Sequence, residues 1–229
     1  GKTFDIHCGG IDHIPVHHTN EIAQSEAATG KKFVNYWLHG NFLTFKGEKV
    51  SKSKGGLYTV SELQEKGFAP LSYRYLCFLT HYRKTLDFSL NNLTASKTAY
   101  TSLKNKIDLI DENSKGNDGK KYLTEFENAI NNDMNLPKAI QVLQTLVKDE
   151  KVSGKSKLEI IEKIDSVLAL DLLKKEEIKI PKEVQKLVDE RETARKNKNW
   201  KLSDELRDKI KSLGFAVDDM GERSKIKKI

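Results

Sequence analysis

Five of the six histidines of this 229-residue chain fall in its first 39 residues: His7, His13, His17, His18 and His39. The densest run is His7-Cys8-Gly9-Gly10-Ile11-Asp12-His13, followed by His17-His18-Thr19-Asn20-Glu21. His17 and Glu21 are four residues apart, so on a helix they share one face, a turn apart, and can grip one ion. Imidazole and carboxylate suit zinc, which takes four ligands, so further donors would have to come from elsewhere. The other reading of the same run is polar contacts around a loop. The paired Gly9 and Gly10, with Asp12 after them, suit close backbone approach to a ligand and a carboxylate offered to a ribose hydroxyl.

A second constellation is Gly47-Glu48-Lys49-Val50-Ser51-Lys52-Ser53-Lys54-Gly55-Gly56. Its lysines, serines and glycines can offer ammonium groups and backbone N–H donors to phosphates. Closed over a triphosphate, such a loop could neutralise the charge that develops as pyrophosphate leaves. By composition alone it is also an exposed basic loop.

These residues need elements to hold them. Phe4-Asp5-Ile6 reads as a short strand running into a Gly9-Gly10 loop. Asn20 to Ala28 reads as a helix stopped by Gly30, and Lys32 to Leu38 as a strand closed by Gly40. After Ser61 the pattern becomes helical. Ala139, Ile140, Leu143 and Val147 mark one face, and Ile161, Ile164 and Leu168 another. Leu202, Leu206, Ile210 and Leu213 mark a third, turned inward and closed by Gly214. Pro70, Pro137 and Pro181 sit where helices can begin, and Lys148 to Lys155 reads as a polar loop.

Composition bounds the rest. A net charge of +7 and 32% charged residues, against 37% apolar ones, describe a chain that can build a core under a heavily charged surface. No apolar run approaches the ~18 residues of a membrane span, and the first residues lack the n-region and h-region of a secretory signal. Two cysteines, Cys8 and Cys77, form no disulfide framework, which points to a reducing compartment, the cytoplasm.

Phe4 through Asp12, continuing through Pro15-Val16-His17-His18-Thr19-Asn20-Glu21-Ile22-Ala23-Gln24, resembles the zinc-site signature of the cysteinyl-tRNA synthetases. Tyr36-Trp37-Leu38-His39-Gly40 resembles the segment that follows it. Lys49-Val50-Ser51-Lys52-Ser53 is similar to the K-M-S-K-S loop of class I aminoacyl-tRNA synthetases, with Val for Met. Tyr73-Arg74-Tyr75-Leu76, His81-Tyr82-Arg83 and Asn131 through Ala139 resemble the family's helical region. Arg191 through Gly214 resembles its anticodon-binding end.

The resemblance implies a set of roles. Zinc, one per full-length chain, would be held by His17 and Glu21 with two cysteines that lie upstream of this chain. Lys52 and Lys49 would act on the phosphates, and Lys52, Asp12, Gly9 and Gly10 would bind ATP, with Mg2+ accompanying the nucleotide. Trp37 would line the substrate pocket. Arg195, Asp204, Arg207 and Asp219 would read the anticodon of tRNA(Cys). Met220 through Lys225 departs from the family's pattern at the last anticodon contacts. The H-I-G-H motif that the family carries does not occur, and the family's chain is roughly twice this long, so the expectation is the C-terminal half of a cysteine–tRNA ligase, inactive by itself.

The fold expected is mainly α with a small α/β part: the remnant of a Rossmann-type catalytic domain over 1–60, a helical bundle over 61–150 and a helical anticodon module over 151–229. The expected partners are cysteine, ATP and tRNA(Cys), with no membrane, and the expected state is a monomer. Two rivals stay open: a cysteine–amino-sugar ligase of the same fold, and a stand-alone RNA-binding fragment without catalysis.

Overall fold

A computed structural model of the chain describes residues 1–45, 48–49, 58–174, 181–220 and 223–228. They fall into two compact units, Gly1–Leu173 and Lys174–Ile229.

The first unit opens with β1 (Phe4–Gly10), a 3-10 turn (Ile11–His13) and a π-type turn (Ile14–His18), then α1 (Thr19–Thr29) and β2 (Val34–Gly40). Gly9 and Gly10, expected in a loop, extend the strand instead. They pair with His39 and Gly40 of β2, because β1 and β2 run parallel in register from Phe4↔Val34 onward. Gly30 ends α1 in the left-handed region, as its position after the helical run predicts. This two-stranded sheet leaves Ile6 and Tyr36 exposed, whereas parallel sheets are mostly covered on both faces.

A second small sheet has the order β4 (Glu48–Lys49), β3 (Leu43–Phe45), β5 (Leu86–Phe88). Between β4 and β5 lie α2 (Val60–Glu65) and α3 (Pro70–Phe78). Thr59 and Glu62 close a capping box at the start of α2, and Pro70 sits in the first turn of α3. Leu63, Leu76, Phe88 and Leu93 form the core beneath this sheet.

The rest of the unit is α4 (Leu90–Asp108), α5 (Lys120–Asn131), α6 (Leu136–Lys148) and α7 (Gly154–Leu168). The expected faces of α6 and α7 are both buried, with Leu143, Ile161, Ile164 and Leu168 at 0% exposure in one core with Tyr75 and Tyr100. At the α5–α6 turn, Asp133 (φ 57°) and Met134 (φ 49°) are both left-handed, a conformation that costs a non-glycine residue about 1–2 kcal/mol.

The compact unit that holds the bundle runs to Leu173. Val152 and all of α7 belong to the bundle core. The chain after α7 is tied back by Asp165, which accepts from the Leu170 and Leu172 N–H groups, and by the Tyr100 hydroxyl, which donates to the Leu170 carbonyl.

The second unit is α8 (Lys182–Lys196), α9 (Trp200–Ser212), β6 (Phe215–Met220) and β7 (Arg223–Lys228). Pro181 stands at the N-cap position of α8, and the Asn199 side chain caps α9 by accepting from the Leu202 N–H. Leu206 and Ile210 are buried, but Leu202 and Leu213 are each 41% exposed, so the inward stripe is shorter than expected. The tail, expected to be helical, is an antiparallel hairpin running from Phe215↔Lys228 to Met220↔Arg223. No helix among the described residues is long and apolar enough to cross a membrane.

Candidate functional site

Parallel pairing of β1 with β2 sets His7 beside Trp37 and Gly9 beside His39. The two turns then carry the chain back, and the π-type turn delivers His17 and His18 directly into α1, whose first turn holds Glu21. Wide turns of this kind recur at functional sites because they re-aim side chains that a regular helix would space evenly.

The Glu21 carboxylate is divided between two sides. His17 Nε2 lies 3.5 Å from Oε1, while His7 Nε2 lies 3.0 Å and His18 Nε2 4.0 Å from Oε2. Two ligands held about 2.1 Å from one tetrahedral zinc stand roughly 3.4 Å apart. The His17–Glu21 spacing therefore fits two adjacent corners of such a site, and His17 is largely exposed, open to further donors. The 3.0 Å contact from His7 is a hydrogen-bond distance, suited to holding the carboxylate's other oxygen. Among the described residues, the group of three metal-type donors within 4.8 Å is His7, His18 and Glu21. The sequence expectation paired His17 with Glu21, and Glu21 is common to both sets.

His18 is buried at 4% exposure. Burial, then the neighbouring His7, pushes its pKa below the ordinary histidine value, with Glu21 partly opposing. Its Nδ1 stands 2.9 Å from His39 Nε2, one ring donating and the other accepting. Trp37 stacks on His39 at 6.0 Å with an interplanar angle of 4°, and meets His7 edge-on at 5.0 Å. Gly9 makes this packing possible, since a Cβ there would lie 2.5 Å from His18 Cε1 and 2.9 Å from His13 Nδ1. A Cβ on Gly10 would lie 2.5 Å from Asp12 Oδ1. At both glycines the space a Cβ would need is thus taken by this chain's own side chains.

His17, Glu21, Trp37, Gly9, Gly10 and Asp12 all lie on or beside the β1–α1–β2 segment. Lys49 is described only as a backbone position in β4, and Lys52 lies outside the described residues. Sequence spacing did not single out His7, His18 and His39 as site residues. The signal that finds them is the parallel register, which no local period contains.

In the second unit, Arg195 lies in the last turn of α8 and is half-buried, while Asp204 and Arg207 are exposed on α9. Asp219 pairs in the backbone with Ser224 of β7. A groove of about 520 Å³ lies along α8 and α9, lined in part by Asp189, Thr193, Asn197, Asn199 and Leu202. Trp200, the first residue of α9, is 59% exposed. It is a second missed candidate, marked in the sequence only as an aromatic among polar residues.

Comparison with known proteins bears on both units. Residues 1–98 match the model of the "tRNA synthetases class I (C) catalytic domain", and residues 179–226 that of the "Cysteinyl-tRNA ligase anticodon binding domain". The chain is 38% identical to a cysteine–tRNA ligase of Treponema denticola, over 100% of this chain and 53% of the relative. It is 42% identical to that of Methanosarcina mazei, over 100% of this chain and 52% of the relative. It thus spans about half the length of the curated relatives it matches. Among solved structures, the LeuRS–tRNA–LeuAMS ternary complex of Agrobacterium radiobacter K84 matches in fold, with a TM-score of 0.55 and 16% identity over 72% of this chain and 26% of that chain.

Proposed function

We propose that the chain belongs to the cysteinyl-tRNA synthetase family and is the C-terminal part of a cysteine–tRNA ligase. The full enzyme would activate cysteine with ATP and transfer it to tRNA(Cys) in the cytoplasm, as a monomer. The observation that carries the reading is the divided Glu21 carboxylate, with His17 on one oxygen and His7 on the other, in a segment that matches the catalytic-domain model. The match of residues 179–226 to an anticodon-binding domain favours this over a cysteine–amino-sugar ligase.

His17 and Glu21 would supply two of four zinc ligands. When bound, zinc would take the substrate's thiolate in preference to serine's hydroxyl, a distinction that shape alone cannot make at useful size. The chain's own groups do the rest. His7 holds Glu21 in place. The hydrogen-bonded His18–His39 pair and the Trp37 indole would form a wall for the amino acid. In the reaction, the cysteine carboxylate would attack the ATP α-phosphate and pyrophosphate would leave; Mg2+, held by the nucleotide's phosphates, would neutralise part of their charge. The cysteinyl group then passes to the tRNA 3′ end with release of AMP. Gly9, Gly10 and Asp12 would face the nucleotide. Lys49 and Lys52 would meet the phosphates as pyrophosphate departs. Arg195, Asp204, Arg207 and Asp219 would read unpaired anticodon bases through their polar edges, and Trp200 offers a stacking face.

Cysteine-dependent ATP–pyrophosphate exchange by the full-length protein tests the reading. Lys52→Ala should lower kcat for exchange by about 100-fold while raising KM for ATP far less, the signature of a contact made in the transition state. Unchanged exchange kinetics would refute the role of Lys52, and absence of cysteine-dependent exchange from the full-length protein would refute the assignment.

A further inference from the structure

The α5–α6 turn makes a contact that the mechanism above does not use. The Asp133 carboxylate accepts from the Tyr82 hydroxyl, from Arg83 Nε, and from the Arg83 guanidinium again at 3.0 Å. His81 Nε2 stands 3.9 Å away. These partners lie 50 and 51 residues upstream of Asp133. An isolated exposed ion pair contributes little, but a forked guanidinium and a hydroxyl on one carboxylate also fix geometry. Asp133 meets them from a left-handed backbone, with Met134 left-handed beside it. Such consecutive strain in non-glycine residues persists where surrounding structure over-determines it.

The clamped segment in turn grips the end of β2. Asn41 N–H donates to the Tyr82 carbonyl at 2.8 Å, and the Asn41 side-chain amide donates to the Arg83 carbonyl at 3.0 Å. Thr85 Oγ1 donates to the Asn41 side-chain oxygen at 3.3 Å. Asn41 directly follows Gly40, the last residue of the strand that carries Trp37 and His39. All these residues lie within the first unit.

We propose that Asp133 is a positioning residue for the amino-acid site: through Tyr82, Arg83 and Asn41 it fixes the end of β2, and with it the stacked Trp37 and His39. The clamp fixes one arrangement of Trp37, His39 and His18, and a loosened strand end would let the rings shift against one another. Displacements of an ångström at a binding wall are costly to catalysis. The kinetic part of this proposal rests on the cysteine–tRNA ligase reading.

The test uses the full-length protein with Asp133→Asn and Asp133→Ala. Asparagine tolerates the left-handed conformation as well as aspartate does, so any loss in that variant comes from the carboxylate and not from the backbone. Both variants should lower kcat/KM for cysteine in ATP–pyrophosphate exchange, by about tenfold for Asp133→Ala, through a raised KM for cysteine with KM for ATP unmoved. A merely structural contact would lower the melting temperature without that split. A second readout needs no activity. In protein labelled with fluorotryptophan, the Trp37 resonance, assigned by its loss in Trp37→Phe, should shift or broaden in both Asp133 variants. A Trp37 resonance unmoved in both overturns the clamp whatever the kinetics. A moved resonance, in a protein that shows no cysteine-dependent exchange, supports the clamp while refuting the ligase reading.

Discussion

At Gly9 one methyl group decides whether the histidines can meet. The backbone there is not left-handed, so the constraint is space alone: a Cβ would lie 2.5 Å from His18 Cε1. Gly9→Ala should therefore cost about 1–3 kcal/mol by overpacking and disturb His18, His39 and Trp37 together. At Gly40 a Cβ meets nothing within 4 Å, so Gly40→Ala should stay within about 0.5 kcal/mol. Urea unfolding of the two variants checks the contrast, and equal losses would contradict it. Asp133 gives a pH signature. Hydrogen bonds from Arg83, then Tyr82, hold its carboxyl at about 2, below the ordinary 3.8. On acidification the unfolded chain therefore takes up the proton first. The stabilisation is complete above about pH 4 and vanishes as pH falls through the folded value. The gap in melting temperature between the natural chain and Asp133→Asn should close over that interval, and a gap that ignores pH would contradict the assignment.

Among the elements, α9 separates what a period can tell from what it cannot. Leu202, Leu206, Ile210 and Leu213 fit one helical stripe, yet only the middle two are buried. Leu202 lies in the first turn and Leu213 is the C-cap, and a helical period does not say whether another element covers its ends. Leu206→Ala and Ile210→Ala should each cost about 2–5 kcal/mol, while Leu202→Ala should cost about 0.5 or less. Equal effects in denaturant titrations would put Leu202 back in the core. The faces of α6 and α7, the starts near Pro70, Pro137 and Pro181, and the stop at Gly30 were legible because each rests on a local period or cap. The C-terminal hairpin was not. Its inward residues Phe215 and Val217 alternate with period two, but the charged residues around them masked so short a signal. The histidine site was legible as composition and as the His17–Glu21 spacing. Its remaining members, His7, His18 and His39, depend on pairing between strands about 30 residues apart.

For the whole molecule, we propose that the two units carry separable tasks. The first holds the histidine site and the second the residues proposed to read the anticodon. Asp204→Ala in the full-length protein should reduce tRNA charging and blunt discrimination among anticodon variants, leaving ATP–pyrophosphate exchange intact because that step needs no tRNA. If only thermal stability moves, Asp204 pairs with Arg207 as an ordinary helix-surface contact. We propose above all that His17 and Glu21 hold the zinc that selects cysteine. This proposal is tested most directly by measuring zinc content and cysteine-dependent exchange on the same preparation of full-length protein, with and without His17→Ala. About one zinc per chain and exchange with cysteine far above serine are expected, both lost together in the variant. A variant that loses its zinc yet keeps cysteine exchange, or keeps both, would contradict the proposal.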